Sequence, residues 1–148
     1  MIDLTTPIIP YEGTGIFKLD ASYDAVKALL QERNISYKEE ILEATDIDPP
    51  WIIIEIENIM EFFFAKNRLF KIILKGNFSG GLPNGINLDT TIDEAQKIDT
   101  NLIFDDWDEI FISDNGYWVD YDEDTKKICR ITIFIPVLER DDFFEYKW

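Results

Sequence analysis

Short runs of apolar residues, separated by polar turns, recur through the first half of the chain and predict β-strands. Three such runs cover residues 51–57, 60–65 and 69–75, and they are rich in isoleucine and phenylalanine. Asn58 is predicted as the first turn and Lys66-Asn67 as a two-residue hairpin loop. The pattern therefore predicts an antiparallel meander in this half of the chain.

The second half repeats the pattern, with strands predicted over residues 102–104, 109–113, 117–121 and 127–135. Asp114-Asn115-Gly116 is predicted as a tight turn, because Asn-Gly adopts the positive φ angles of a type I′ turn. In the third of these strands, Trp118 and Asp120 are expected on one face of the sheet, and Tyr117, Val119 and Tyr121 on the other, because successive strand residues alternate.

Two helices are predicted, one ahead of each meander. Asp20 and Ser22 are capping residue types, Asn34 is the predicted stop, and the apolar residues between them follow helical spacing: Tyr23, Val26, Leu29 and Leu30. Thr91 and Glu94 match a capping box at the start of the second helix. Residues 37–48 fit either a short helix or a strand, and residues 1–15 are predicted to be extended and rich in turns.

The two halves match each other in order. Gly15-Ile16 and Gly85-Ile86 each precede a capped helix, and a set of strands follows in both cases. We therefore predict a single domain over residues 1–148 with tandem repeats at 13–75 and 83–136. The expected fold class is α+β: an antiparallel sheet with two helices packed on one face, each repeat being a helix followed by a three- or four-stranded meander.

Composition changes what this fold can be expected to do. The chain has 148 residues, a formal charge of −16, one cysteine and no histidine, and 46% of its residues are hydrophobic. A folded domain is expected, whereas a disulfide framework, a Cys/His zinc site and histidine-based catalysis are excluded. Nucleic acid and membrane partners are not expected, because phosphate groups would be repelled. The first residues lack the features of a signal peptide, so we expect a cytoplasmic protein.

No cofactor or metal is expected from the sequence. The spacing Asp120-x-Asp122-x-Asp124 imitates a calcium loop, but Thr125 and Ile131 stand where that loop needs glycine and glutamate. Cys129 lies in an apolar run, so it is expected to be a reduced thiol in the core.

The acidic residues concentrate in two stretches that contain no lysine or arginine, between Lys38 and Lys66 and between Lys97 and Lys126. Carboxylates this dense repel one another, and a cationic partner would relieve the repulsion. We therefore predict a binding site for a basic protein, with Trp107 and Trp118 as aromatic anchors. Its predicted acidic residues are Asp105, Asp106, Asp108, Glu109, Asp120, Asp122, Glu55 and Glu57. The alternative is an ordinary solvated sheet face over a core of packed aromatics.

The order of helix and antiparallel meander, twice over, with a Gly-Ile pair before each capped helix, resembles β-lactamase inhibitory protein and small outer-membrane lipoproteins of similar repeat fold. The resemblance covers about residues 15–135 and implies a sheet that can bind another protein. In size and acidity the chain also resembles bacterial immunity proteins that neutralise toxin nucleases.

The leading hypothesis is therefore not an enzyme but an immunity-type inhibitor, as in contact-dependent growth inhibition, which binds a cationic toxin domain and occludes its active site. One alternative is a phage-type mimic of nucleic acid that binds a host DNA-binding protein. Another is an enzyme that uses only carboxylates. The aromatic tail at residues 143–148 could either cap the core or dock a partner.

Overall fold

A computed structural model describes residues 2–43 and 50–139 of the chain. The end of the ambiguous segment 37–48, from residue 44 on, and the aromatic tail at 143–148 lie outside the described residues. Two helices, α1 and α2, and eleven strands are found in the described part. The helices are Tyr23–Glu32 and Ile92–Ile98. Strands β1 to β11 are Ile8–Ile9, Gly13–Thr14, Phe17–Lys18, Lys38–Leu42, Trp51–Ile56, Met60–Ala65, Arg68–Lys75, Ile103–Asp105, Ile110–Ser113, Tyr117–Tyr121 and Ile128–Phe134. A 3₁₀ turn at Pro136–Glu139 follows β11.

Eight of the strands form one antiparallel sheet in the order β4-β5-β6-β7-β11-β10-β9-β8. Each half of the chain contributes one helix followed by a four-stranded meander, and β7 pairs with β11 to join the two meanders at the centre of the sheet. Strands β4 and β8 are the two edges. The predicted α+β class with an antiparallel sheet is confirmed, and the ambiguous segment after α1 contains strand β4. The short strands β1 to β3 form a separate three-stranded sheet.

Local turn chemistry explains the meanders. Lys66 and Asn67 have φ angles of 52° and 60°, so together they form the two-residue turn between β6 and β7. Gly116 has a φ of 90° in the turn between β9 and β10, where an added Cβ would lie 2.6 Å from the Tyr11 ring. Both turns lie where the sequence predicts them, but the second is not the predicted type I′ turn. Gly116 has a positive φ and Asn115 does not, and the pairing of Ser113 with Tyr117 leaves a three-residue loop.

One face of the sheet forms the core. A single row of cross-strand neighbours runs through six strands of this face: Ile54, Phe62, Ile72, Ile133, Tyr117 and Ser113. All six are buried. Both helices contact this face, since the Tyr23 ring of α1 packs 5.4 Å from Phe64 and Asp99, the C-cap of α2, bonds to Ser113. The predicted packing of two helices on one face is therefore confirmed.

The helix caps also agree with the sequence. The Ser22 hydroxyl accepts a hydrogen bond from the Ala25 N–H, at 3.1 Å, and begins α1. Thr91 and Glu94 form the predicted capping box at the start of α2. Asp20 lies just before the first cap and forms an ion pair with Arg68 of β7.

The prediction that Cys129 lies in the core is wrong, because its side chain is exposed. The register between β10 and β11 shifts after Asp120, which faces Arg130, so that Tyr121 faces Ile128. This bulge breaks the alternation of faces and leaves two successive residues, Cys129 and Arg130, exposed between buried isoleucines.

Candidate functional site

The turn between β8 and β9 carries the most exposed aromatic side chain of the described residues. Trp107 stands at its tip with 92% of its surface exposed. Asp105 organises the turn, because its carboxylate accepts from the Trp107 N–H at 3.3 Å and its carbonyl accepts from the Glu109 N–H at 2.8 Å. An aspartate that bonds to backbone two residues ahead is a common way to hold a turn. The turn therefore presents Trp107 to solvent between Asp106 and Asp108.

The carboxylates of this turn crowd one another. Partial burial raises the pKa of Asp108. The hydrogen bond between Asp108 and Asp105 and the like charge of Asp105 raise this pKa further. Proximity of two carboxylates disfavours the second negative charge. A cationic group bound here would offset that repulsion.

The turn between β10 and β11 adds further carboxylates. The Asp122 side chain accepts from the N–H groups of Asp124, at 2.8 Å, and Thr125, at 3.0 Å, and these bonds lower its pKa, with Thr125 the larger contributor. The calcium-like spacing is thus accounted for by a side chain that organises a turn. Asp120 precedes the turn and lies opposite Arg130 of β11.

These two turns lie at the same end of the sheet, because β9 runs antiparallel to both β8 and β10. We call this region the acidic end and define it by eight carboxylates: Asp105, Asp106, Asp108, Glu109, Asp120, Asp122, Glu123 and Asp124. Among the residues that the structure describes, no ion pair involves any of them. Six of the ten residues predicted for the partner site belong to this group, and Trp107 lies within it.

The acids of the first stretch have a different environment. On the face opposite the core, the Lys75 ammonium lies 3.4 Å from Glu55 and 3.5 Å from Glu61. Lys27 of α1 lies 3.7 Å from Glu39. A stretch that lacks basic residues in sequence is therefore neutralised in part by lysines from other elements.

Glu55 and Glu57 do not join the acidic end. Glu55 lies within β5, which is five strands away from β9 in the sheet, a separation of about 24 Å at the usual strand spacing. Glu57 occupies the turn after β5 with a φ of 47°, at the same end of the sheet but far to one side. The two acidic stretches of the sequence therefore do not form one surface.

The two predicted tryptophan anchors also differ. Trp118 lies on the sheet face opposite the core, where its ring is 4.7 Å from the ring of Phe134. It is half-buried, whereas Trp107 makes no ring contact among the described residues. Of these two tryptophans, only Trp107 has the exposure expected of a side chain that binds a partner protein.

A buried polar network was not predicted from the sequence. Asp99 is 4% exposed and accepts hydrogen bonds from the Ser113 hydroxyl at 2.5 Å, from the Asn115 amide at 3.1 Å and from the Tyr117 hydroxyl. Its other oxygen accepts from the Asn101 N–H at 2.9 Å. Burial alone would raise the pKa of Asp99, but these bonds outweigh it and the pKa is lowered. The ionised carboxylate thus ties the end of α2 to the turn between β9 and β10.

A cavity of about 580 Å³ adjoins this network, lined by Pro10, Tyr11, Leu82, Pro83, Asn84, Asn115, Tyr117 and Ile9. The Asn84 amide donates to the Tyr117 hydroxyl at 3.3 Å. Asp99 is held ionised by its donors, so it is a poor candidate for the neutral carboxylic acid that a carboxylate-based enzyme would need as a proton donor.

The pKa of Tyr117 leads to a test of this network. Burial raises that pKa to about 12, with a further contribution from the hydrogen bond to Asp99. Because the folded-state pKa exceeds the ordinary value, folding stability should fall as the pH rises above 10, by at most about 1.4 kcal/mol per pH unit up to pH 12. Urea unfolding of the natural protein and of Tyr117→Phe at pH 8, 10 and 11 measures this. The difference in stability between the two should shrink above pH 10, whereas a constant difference would show that Tyr117 does not titrate in this way.

No family model, curated protein sequence or solved structure matches the chain. The resemblance to β-lactamase inhibitory protein and to immunity proteins therefore stays a prediction. Neither helix of the described part is long and apolar enough to cross a membrane.

Proposed function

We propose that the protein is an immunity-type inhibitor that acts in the cytoplasm and neutralises a cationic toxin domain, with a nuclease as the favoured class. The observation that carries the proposal is Trp107, 92% exposed at the tip of a turn whose carboxylates have no ion-pair partner among the described residues. Exposed tryptophan surrounded by uncompensated charge of one sign is the composition of a binding hot spot for a surface of the opposite sign.

The mechanism would be occlusion. A nuclease binds phosphates through lysine and arginine side chains. Carboxylates at the acidic end would bind those side chains in place of phosphate. Trp107 would supply apolar contact area at the centre, because a large aromatic side chain loses little conformational freedom when it binds. The net charge of −16 would draw the basic partner in and raise the association rate at low salt.

The two alternatives have less support. A nucleic-acid mimic needs carboxylates in a regular row, but here they concentrate in two turns, and Glu55 and Glu61 are paired with Lys75. An enzyme that uses carboxylates needs a neutral acid in a cleft, and the one described carboxylate that is buried, Asp99, has a lowered pKa. The proposal accordingly assigns the protein no catalytic activity.

The test of the proposal is co-expression of the tagged chain with each product of the neighbouring genes, scored by co-purification and by protection of the cells. We expect that a basic protein, toxic by itself, is retained and neutralised. Trp107→Ala should weaken this complex about tenfold, the usual cost of removing an aromatic anchor, with stability unchanged within about 0.5 kcal/mol because the Trp107 side chain is 92% exposed.

Trp118→Ala is the matched control. Because Trp118 packs on Phe134, this variant should lose folding stability, measured by urea unfolding, yet bind the partner as tightly as the natural protein at temperatures where it is folded. The proposal fails if no neighbouring product is both toxic and bound. It also fails at this site if Trp107→Ala and Trp118→Ala weaken binding equally.

A further inference from the structure

Exposed apolar side chains concentrate around strand β8. Of the seven large apolar side chains that are exposed in the described part of the chain, four lie between residues 98 and 107, namely Ile98, Ile103, Phe104 and Trp107. Ile103 is 66% exposed and Phe104 is 44% exposed. Both belong to β8, which pairs with β9 on one side and with no described strand on the other.

An edge strand of this kind is usually protected. Proteins place charges, prolines or bulges on such strands because unpaired N–H and C=O groups recruit other strands. The opposite edge, β4, follows the rule, since it carries Lys38, Glu39 and Glu40, and Glu39 is held by Lys27 and Tyr23 of α1. Strand β8 has two exposed apolar residues out of three, so its edge is the less protected of the two.

We propose that the edge of β8 binds an extended strand of the cationic partner, which adds to the sheet as a ninth strand. This inference rests on the proposed function and specifies how the partner is held. Backbone hydrogen bonds would supply affinity along β8, and alternate side chains of the added strand would supply specificity.

Both faces of β8 offer apolar contacts to such a strand. Ile103 lies across from Ile112, which in turn lies across from Trp118, on the face opposite the core. Phe104 lies on the core face, with its ring 5.2 Å from the ring of Phe111. An added strand would therefore extend an existing apolar row on each side of the sheet.

The negative charge beside β8 determines which kind of strand can bind to its edge. The turn between β8 and β9 follows β8 directly, so an incoming strand would lie beside Asp106, Asp108 and Glu109 and would bind more tightly if it carried lysine or arginine there. A second copy of the chain would bring the same carboxylates against each other, and each copy carries a net charge of −16. The favoured occupant is thus a basic strand from another protein.

The probe is a ten-residue peptide of alternating lysine and valine, compared with the same peptide carrying N-methyl groups on its backbone amides. The two have equal charge and side chains, but the methylated one lacks N–H donors. We expect the first to bind at least tenfold more tightly and to slow hydrogen exchange of amides in β8. Ile103→Asn should weaken binding, whereas Ile41→Asn on the edge of β4, where the residue is 56% exposed, should not.

Three results would overturn the proposal. Equal binding of the two peptides would indicate a contact of charge alone, and would leave the proposed function intact. If the lysine–valine peptide fails to bind while a basic toxin partner binds, the edge of β8 is not a strand-binding site. The proposed function as an inhibitor would again remain intact. If sedimentation shows a concentration-dependent dimer and the peptide dissociates it, the edge of β8 binds a second copy of the chain.

Discussion

Asp99→Ala is expected to lower the free energy of unfolding by about 3 kcal/mol, which is the usual cost of removing one partner from a buried, charged hydrogen-bond network. The Ser113 and Tyr117 hydroxyls, both buried, would lose their acceptor. The end of α2 would also lose its connection to the turn between β9 and β10. Urea unfolding at pH 7 measures the change.

The stability that Asp99 supplies depends on pH, and its full value is present at pH 7. Because the pKa of Asp99 is lowered in the folded state, the stability it supplies is fully present above the ordinary carboxyl pKa. It is lost as the pH falls through the still lower folded-state value. At pH 7 the whole effect is therefore measured, and in acid below pH 4 the natural protein and the variant should approach each other.

Asp114→Ala is the matched control, since Asp114 lies in the same turn region and is exposed. It should change stability by no more than about 0.5 kcal/mol. If Asp99→Ala cost no more than this control, the four hydrogen bonds to Asp99 would not contribute as the structure implies.

Features set by neighbours in sequence could be predicted, because they depend on a few adjacent residues. The capping box of Thr91 and Glu94 and the turn at Lys66-Asn67 are of this kind, and both are confirmed. The same holds for the alternation in β10, where Tyr117 and Val119 are buried on the core face and Trp118 is not.

Features set by distant contacts could not be predicted in this way. The pairing of β7 with β11 joins residues more than 50 positions apart, and no local pattern specifies it. Asp99 belongs to an acidic stretch in sequence, but the fold turns it inward to Ser113 and Tyr117. The exposure of Cys129 follows from a bulge, which shifts the register without any glycine or proline to mark it.

The candidate site shows the same division between local and distant information. Charge and aromatic content point to residues 105–109 from the sequence alone, and the structure places them in one exposed turn. The compensation of Glu55 by Lys75 depends on strands that are adjacent in the sheet but separate in sequence. Net charge along the chain is therefore a poor guide to surface potential until the opposite charges from other strands have been located.

Reversing two charges in the turn between β8 and β9, Asp106→Lys with Glu109→Lys, is expected to weaken binding of the basic partner about a hundredfold at low salt. Close pairs of opposite charge across an interface couple by about 1.5 kcal/mol or more each, and reversal adds repulsion to their loss. Most of the loss of affinity should appear as a slower association rate, because long-range attraction between opposite charges steers the two proteins together. Stopped-flow binding at 20 to 300 mM NaCl measures both rates, and the variant should show a flatter dependence on salt.

Glu40→Lys with Glu43→Lys separates a local site from net charge. These exposed residues lie at the opposite edge of the sheet, in and just after β4, and the double change alters the total charge by the same amount. If the acidic end binds the partner, this variant should keep its affinity within about threefold, since charges beyond a Debye length are largely screened at physiological salt. Equal losses in the two double variants would mean that the partner responds to the overall charge of −16, and the acidic end would then have no special role.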